Sequence, residues 1–202
     1  MFFARTKYLL FVVLLAGYLL NACTKKEDSE PDITTTENAL VYYLNNSDTT
    51  YHWEVQNSYD ILDVKAYDLL LTSQQWREYT WQHQLTIFIP PEIQYDGALL
   101  WITGGSLQDG HPKWASQNNE ETRTFGIAAA SNHAVVAILR QTPNQPLYDD
   151  LYEDALISYT LHNFKSDGDY SWPLLFPMVK SAVRSMDAVQ EFSIETNLLC
   201  QN

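Results

Sequence analysis

The chain has 202 residues, of which 46% are hydrophobic and 13% aromatic, and its formal net charge at pH 7 is −13. A chain of this length suits one domain that can bury a substantial core. The excess of acidic residues argues against nucleic acid as a partner and against an electrostatic attachment to anionic lipid.

The first residues follow the pattern of a secretory signal. Arg5 and Lys7 form a short basic region, and residues 8–20 are apolar apart from Gly17. This run is shorter than the roughly 20 apolar residues of a membrane-spanning helix, and it has the length of a signal-peptide core. It ends in Leu-Asn-Ala-Cys, which resembles the lipobox cut by lipoprotein signal peptidase. We therefore predict that residues 1–22 are removed and that Cys23 is acylated.

Acylation of Cys23 predicts an extracytoplasmic protein anchored in a bacterial cell envelope. One acyl chain binds a membrane only marginally, at about 0.8 kcal/mol per buried methylene, and the usual lipoprotein modification supplies several chains. We expect membrane lipid to be a partner through Cys23, in the outer membrane or at the cell surface rather than in the inner membrane. Acylation also leaves Cys200 as the one free cysteine, so no disulfide within the chain is expected.

Residues 23–38 are predicted to be a polar tether. They contain no aromatic side chain and include the acidic residues Glu27, Asp28 and Glu30. Such a segment cannot bury a core and is typical of a disordered linker. Acidic residues directly after a lipidated cysteine would also suit export to the cell surface, although a solvated linker is the simpler interpretation.

The domain after the tether opens with signs of antiparallel strands. Residues 39–53 are rich in aromatic side chains and are interpreted as an irregular segment leading into the sheet. Residues 65–73 form an extended run, and residues 80–89 alternate between two faces with a period of two, which is typical of a strand. Pro90 and Pro91 end that strand because proline cannot donate to the ladder.

A β-α-β unit follows the hairpin. Residues 97–103 are continuously apolar, which predicts a strand covered on both faces, and they end in Gly-Gly-Ser. Asn118 or Asn119 can cap a helix with acidic residues in its first turn. Residues 134–139 then form a second apolar strand, and a strand, helix and strand in this order indicate a parallel pair.

The last part of the chain is predicted to be helical. Residues 150–153 resemble an acidic capping box opening a helix that ends near Phe164, and a second helix begins at Pro173 or Pro177 and ends near Phe192. Residues 193–202 have neither pattern. The predicted fold class is α/β, with an antiparallel hairpin, a β-α-β unit and two helices, as at the start of an α/β-hydrolase sheet.

Four strings in this domain are closely similar to those of the PhoPQ-activated pathogenicity-related protein family. The resemblance covers residues 39–192 and implies an α/β-hydrolase-like fold with a poorly defined hydrolase activity outside the cytoplasm. The strings are residues 99–106 (LLWITGGS), 140–147 (RQTPNQPL), 153–160 (EDALISYT) and 172–187 (WPLLFPMVKSAVRSMD).

The resemblance also implies that the catalytic residues are missing from this chain. Members of the family continue after the last helix into a strand and an elbow that holds the nucleophile, and the acid and histidine follow in chain order. This sequence departs from the family pattern after Phe192, leaving residues 193–202 as a divergent tail. The expectation is a truncated and catalytically inactive hydrolase-like fragment with no catalytic residue of its own.

Five residues remain as candidates for a site. Gly105 and Ser106 follow the first parallel strand, where such folds place a backbone N–H of the oxyanion hole; a tight turn alone would explain them equally well. Ser106 is a weak candidate nucleophile because no Gly-x-Ser-x-Gly surrounds it. Asn144 and Gln145 follow the second parallel strand, where ligands bind in open α/β sheets. His111 is the histidine nearest to this predicted cleft.

The remaining histidines give no support for a metal site, because none has a zinc-binding spacing. His83 falls on the apolar face of its predicted strand and is interpreted as a core residue. No cofactor is predicted. Two functions stay open: a lipid-anchored, non-catalytic hydrolase-like fragment, and an anchored module that binds a ligand or partner without chemistry. The substrate, whether a small molecule or a peptide, is not identified by the sequence. An enzyme complete within these residues would need a nucleophile that the sequence does not show.

Overall fold

A computed structural model of the protein describes residues 34–196, and predictions that concern residues 1–33 and 197–202, including Cys23 and Cys200, lie outside this range. The elements in chain order are α1 (Ala39–Leu44), β1 (His52–Ile61), β2 (Val64–Trp76), β3 (Tyr79–Ile89), β4 (Ala98–Ile102), β5 (Leu107–Gln108), β6 (His111–Pro112), α2 (Glu120–Asn132), β7 (Val135–Leu139), α3 (Glu153–Asp167) and α4 (Leu175–Glu195).

Five strands form one mixed, mostly antiparallel sheet in the order β1-β2-β3-β7-β4. β1, β2 and β3 are joined by two-residue turns and pair antiparallel, and β7 pairs antiparallel with β3. β4 and β7 pair in parallel with α2 between them in the chain, which confirms the predicted β-α-β unit. The mixed α/β class is therefore confirmed. β5 and β6 form a separate short hairpin.

Helices cover both faces of this sheet because the apolar side chains of its central strands point alternately to each side. Ala137 and Leu139 of β7 pack in one cluster with Phe192 of α4. Val136 and Ile138 of the same strand pack in a second cluster on the opposite face, beside Ala129 of α2. All five residues of β7 are buried, as a continuous apolar run predicts.

The N-terminal part of the domain is more regular than predicted. Residues 39–53 were expected to be irregular, but they contain α1 and the start of β1, which pairs with β2 at nine of its ten residues. β1 is an edge strand whose side chains are mostly exposed, with Tyr59 and Ile61 as its buried positions. Because β1 has polar side chains on both faces, it lacks the alternation of apolar and polar residues by which a strand is recognised in a sequence.

The prediction that β4 is covered on both faces is wrong. β4 lies at the other edge of the sheet, and Leu99, Trp101 and Ile102 expose 52%, 46% and 45% of their surface. A continuous apolar run indicates that a strand suits burial, but it does not show whether a neighbouring strand is present. This edge is therefore apolar and unpaired within the part of the chain that the structure describes.

The boundaries of the last two helices differ from the sequence prediction. Asn119 caps α2 by accepting a hydrogen bond from the N–H of Thr122, as expected. The capping box at residues 150–153 is wrong, because α3 begins only at Glu153 and has no side-chain cap. The residues before it have left-handed backbone conformations, with φ of 59° at Asp149 and 68° at Asp150. α4 runs past Phe192 to Glu195.

A buried ion pair joins the loop before β1 to α4. The ammonium group of Lys180 lies 3.1 Å from a carboxylate oxygen of Asp48, and the side chains are 1% and 8% exposed. Lys180 also donates to the Oδ1 of Asn46 at 2.6 Å. Burial tends to raise the pKa of Asp48, but hydrogen bonds from Thr50 and Lys180 outweigh it and hold that pKa below its usual value. The Asp48 carboxylate therefore stays charged at neutral pH.

Among residues 34–196, no helix is both long and apolar enough to cross a membrane.

Candidate functional site

The parallel pair of strands brings two loops together at one end of the sheet. The N–H of Thr103 donates to the carbonyl of Leu139, and the N–H of Gln141 donates to the carbonyl of Gly104. These bonds continue the β4–β7 ladder beyond the strands and hold the two loops side by side. The resulting open, polar cleft has a volume of about 680 Å³ and is lined by Thr103–Ser106, Lys113–Ser116, Asn118, Asn119, Glu121, Arg140 and Gln141.

Gly105 is a position that only glycine fits in this cleft. Its φ is +141°, a conformation that other residues rarely adopt. A Cβ atom there would lie 3.2 Å from both the backbone nitrogen and the Nε2 of Gln141. Gln141 cannot move freely, because its Oε1 accepts from the N–H of Gln84 and its Nε2 donates to the carbonyl of Lys113. The close approach of the two loops thus depends on this glycine.

The backbone donors of this loop are free. Within residues 34–196, the N–H groups of Gly105 and Ser106 donate to no other protein atom. Their carbonyls are occupied instead, that of Gly105 by the Nε2 of Gln145 at 3.3 Å and that of Ser106 by the N–H of Lys113 at 3.0 Å. Two adjacent free donors beside an open cleft are suited to bind a carboxylate or a developing oxyanion.

Arg140 is a buried residue of the cleft lining, and the sequence did not single it out as a site residue. It is 4% exposed, and its guanidinium donates to the hydroxyls of Thr86 and Thr122 and pairs with Glu121 at 3.3 Å. Burial lowers the pKa of Arg140, and the charges of Glu121 and Asp68 oppose that shift. Because the guanidinium already binds these three side chains, its role is to hold the wall of the cleft together and not to bind a ligand.

Asn144 and Gln145 hold the second loop in place. Both are buried, and Asn144 bonds both backbone groups of Gln82 and the carbonyl of Gln141. Gln145 accepts from the N–H of Glu153 through its Oε1 while its Nε2 reaches Gly105. The structure therefore joins Gln145 to the Gly105 loop, with its side-chain amide engaged by backbone groups.

His111 lies beside Asn144 rather than beside the Gly105 loop. The two residues line a second, smaller pocket of about 440 Å³ together with Gln82, whose Oε1 is 3.3 Å from the Nδ1 of His111. The predicted site residues thus fall into two neighbouring places: Gly105 and Ser106 line the polar cleft, and His111 and Asn144 line the second pocket. Among residues 34–196, no cluster of three or more potential metal ligands is present.

His83 is a core residue, as predicted, and it pairs with a serine that the sequence did not indicate. The extra residue of a β-bulge in β2, Ser73, places its hydroxyl 2.9 Å from the Nε2 of His83. The Nδ1 of His83 lies 3.0 Å from the carbonyl of Arg140. Both side chains are fully buried, and burial lowers the pKa of His83 to about 4. No substrate can reach this pair.

The low pKa of His83 makes the stability of the domain depend on pH. Because the unfolded chain takes up a proton near pH 6.5 and the folded protein only near pH 4, acid favours the unfolded state between these values. We expect the free energy of unfolding to lose about 3 kcal/mol from this group between pH 6.5 and 4. Urea denaturation at several pH values measures it, with His83→Gln as the control; parallel curves for the two proteins would contradict the prediction.

The fold and the site together define a class: a mixed α/β domain with a polar cleft at the carboxyl ends of one parallel strand pair. Within that class, the sequence of residues 40–201 matches the family described as PhoPQ-activated pathogenicity-related protein, and the chain belongs to this family. The match extends beyond Phe192, where the resemblance was expected to end.

Two further similarities concern single proteins. The chain is 31% identical over 161 residues to autocrine proliferation repressor protein A of Dictyostelium discoideum; the match covers 74% of this chain and 32% of that protein. It therefore spans about a third of the length of this relative. Among solved structures, an acetyl xylan esterase from Paenibacillus sp. R4 is similar with a TM-score of 0.45 and 13% identity, covering 81% of this chain and 50% of the esterase.

Proposed function

We propose that this protein is a membrane-anchored, extracytoplasmic lipoprotein whose hydrolase-like domain does not catalyse hydrolysis by itself. The proposal rests on where the serine hydroxyls lie relative to the histidine rings. Within residues 34–196, the serine hydroxyl that meets a histidine ring is that of Ser73, and its partner His83 is fully buried. Ser106 beside the cleft has no such partner. A serine without a base is a weak nucleophile.

The strand order supports a hydrolase-like origin of this domain. An antiparallel hairpin next to a parallel pair, with a glycine loop after the first parallel strand, is the arrangement in which α/β-hydrolases place an oxyanion hole. The free N–H groups of Gly105 and Ser106 suit that role. The domain would thus retain a place to hold an oxygen anion, without the groups that generate one.

The first test concerns the anchor. We expect Cys23→Ser to abolish membrane association, because the acyl chains are attached through the sulfur of Cys23 and several chains are needed for stable anchoring. Detergent phase partitioning after growth with a labelled fatty acid measures both the label and the location of the protein. The matched control is Cys200→Ser, which should leave both unchanged. A Cys23→Ser protein that still carries label into the detergent phase would refute the anchor.

The second test concerns catalysis. We expect the purified chain to show no turnover of short-chain nitrophenyl esters above the buffer rate. A triad enzyme stripped of its nucleophile or base retains only about 10³–10⁴-fold over water, which an ordinary ester assay does not detect. Ser106→Ala is assayed in parallel. If the unaltered chain turns over ester and Ser106→Ala does not, then Ser106 is a nucleophile and the proposal is wrong.

A second candidate function is an anchored binding module, and the polar cleft favours it. The cleft is open and combines free backbone donors with the exposed side chains of Lys113 and Trp114. Such a site can hold a small anionic ligand without chemistry. Saturable binding of acetate or another carboxylate that broadens the amide signals of Gly105 and Ser106, with no ester turnover, would favour this function.

A further inference from the structure

The two free N–H groups of the polar cleft leave the same side of the backbone. The carbonyl of Gly104 accepts from the N–H of Gln141 at 3.0 Å. The carbonyl of Gly105 accepts from the side-chain Nε2 of Gln145 at 3.3 Å. Both carbonyls thus face the loop that follows β7. Because a trans peptide unit points its N–H opposite to its C=O, the N–H groups of Gly105 and Ser106 both point away from that loop.

The backbone conformation of Gly105 makes this arrangement possible. In an extended strand, successive carbonyls point to opposite sides, and so do successive N–H groups. The φ of +141° at Gly105 breaks this alternation. Successive N–H groups on one side of a turn form a small concave site that binds anions. The glycine that allows the close contact with Gln141 therefore also turns two donors in one direction.

The side chain of Gln145 fits its place only as an amide. Its Oε1 accepts from the N–H of Glu153 at 2.9 Å, and its Nε2 donates to the carbonyl of Gly105. Turning the amide round would set donor against donor and acceptor against acceptor. The residue is 4% exposed, and its own carbonyl accepts from the N–H of Leu107 at 2.6 Å. Gln145 therefore fixes the peptide units on both sides of Ser106.

The charges around these donors favour an anion with a single negative charge. Lys113 and Arg140 are the basic residues of the cleft lining. The side chain of Lys113 is exposed, whereas Arg140 is buried and already paired with Glu121 at 3.3 Å. A doubly charged anion would bring a further negative charge close to the Glu121 carboxylate, in a protein whose net charge is −13.

We propose that Gly105 and Ser106 form a two-donor site for one oxygen of a singly charged carboxylate, and that Gln145 is the positioning residue that sets the direction of the Ser106 donor. The proposal rests on the binding function offered above as the second candidate. The Gly105 donor does not need Gln145, because the carbonyl of Gly104 is held by the backbone of Gln141. The two donors therefore depend on different partners, and this difference can be measured.

The test uses the full 202-residue chain carrying Cys23→Ser, labelled with ¹⁵N, and sodium acetate as the probe at pH 7 and constant ionic strength. We expect saturable shifts of the amide signals of Gly105 and Ser106. In Gln145→Glu an acceptor faces the Gly105 carbonyl, so the next peptide unit is no longer held. The Ser106 signal should then lose its response, whereas the Gly105 signal should still shift, with an affinity reduced by about tenfold or more. Inorganic phosphate at pH 8 should bind more weakly than acetate.

Matched variants separate the hydrogen bond from the added charge. Gln108→Glu introduces the same negative charge on an exposed residue of β5, two positions after Ser106, and leaves the Gly105 carbonyl untouched. Both amides should still respond in this control, with an affinity changed by no more than about threefold. Gln145→Leu has a similar size and no charge and should behave as Gln145→Glu does. It replaces Gln145→Glu if circular dichroism shows that the latter does not fold.

Four results would overturn the proposal. Without saturable shifts at Gly105 and Ser106 in the chain that retains Gln145, the second candidate function fails as well. A Ser106 amide that still responds in the Gln145 variants, or the joint disappearance of both responses, would remove the positioning role and leave anion binding in place. Tighter binding of phosphate than of acetate would contradict the single charge of the ligand. Because the assay uses unacylated protein and no ester, none of these results affects the proposed anchor or the absence of turnover.

Discussion

Replacing Phe192 with alanine is expected to lower the free energy of unfolding by about 3–5 kcal/mol. Phe192 is 2% exposed and joins α4 to the sheet. Its ring lies 4.9 Å from that of Tyr67 in β2 and 5.9 Å from that of Trp53 in β1. Removing it loses both aromatic contacts and leaves a cavity between rigid elements, which cannot collapse without moving the helix.

Urea denaturation followed by tryptophan fluorescence measures this loss. Ile194→Ala is the matched control, because Ile194 lies two residues further along the same helix and is largely exposed. The control should change the stability by no more than about 0.5 kcal/mol. A Phe192→Ala protein as stable as the control would mean that α4 does not pack on the sheet through this residue.

The second large effect is expected for Asp48→Ala, which should destabilise the protein by about 3–5 kcal/mol. The cause is the charge left behind. Lys180 is almost fully buried, and without Asp48 its ammonium group keeps only the Asn46 oxygen at 2.6 Å and the ring of Tyr43 at 5.7 Å. An uncompensated charge in a low-dielectric interior is far more costly than a missing surface contact.

An exposed ion pair in the same protein provides the control. Lys65 and Asp60 lie 3.3 Å apart with side chains 42% and 66% exposed. Asp60→Ala should cost less than about 1 kcal/mol because solvent screens that pair. Combining Asp48→Ala with Lys180→Met should recover most of the stability, since the buried charge is then absent. If Asp48→Ala and Asp60→Ala cost the same, the Lys180 pair is not buried in solution.

The central strands could be predicted from the sequence because the order of apolar and polar side chains along them is typical of buried strands. β7 is apolar throughout and buried throughout, and β3 is a strand as its alternating sequence predicted, although both of its faces are buried from His83 onwards. β1 could not be recognised, because an edge strand with polar side chains on both faces resembles a loop. Its turn into β2 also lacks the usual signal: Leu62 adopts φ of 55°, where glycine or asparagine is the common choice.

The position of the candidate site could be predicted from the sequence, but the hydrogen bonds that hold it together could not. Gly105 and Ser106 could be placed at the end of β4 because a glycine pair closes an apolar run. The roles of Arg140 and Gln141 depend on partners far away in the sequence, such as Thr86 and Gln84. No local pattern encodes such bonds. The same holds for Ser73, which reaches His83 only because a bulge in β2 turns it inward.

The Lys180–Asp48 pair would also have a mechanical consequence if the N-terminal end is tethered as we propose. Tension applied from the N-terminal side of the described residues would reach Asp48 before it reaches β1, which begins at His52. Because Asp48 is bonded both to Lys180 of α4 and to the N–H of Gln75 in β2, the load is shared between that helix and the second strand before it reaches β1. A pull from the N-terminal side would therefore be resisted by these contacts before the hydrogen bonds between β1 and β2 are loaded.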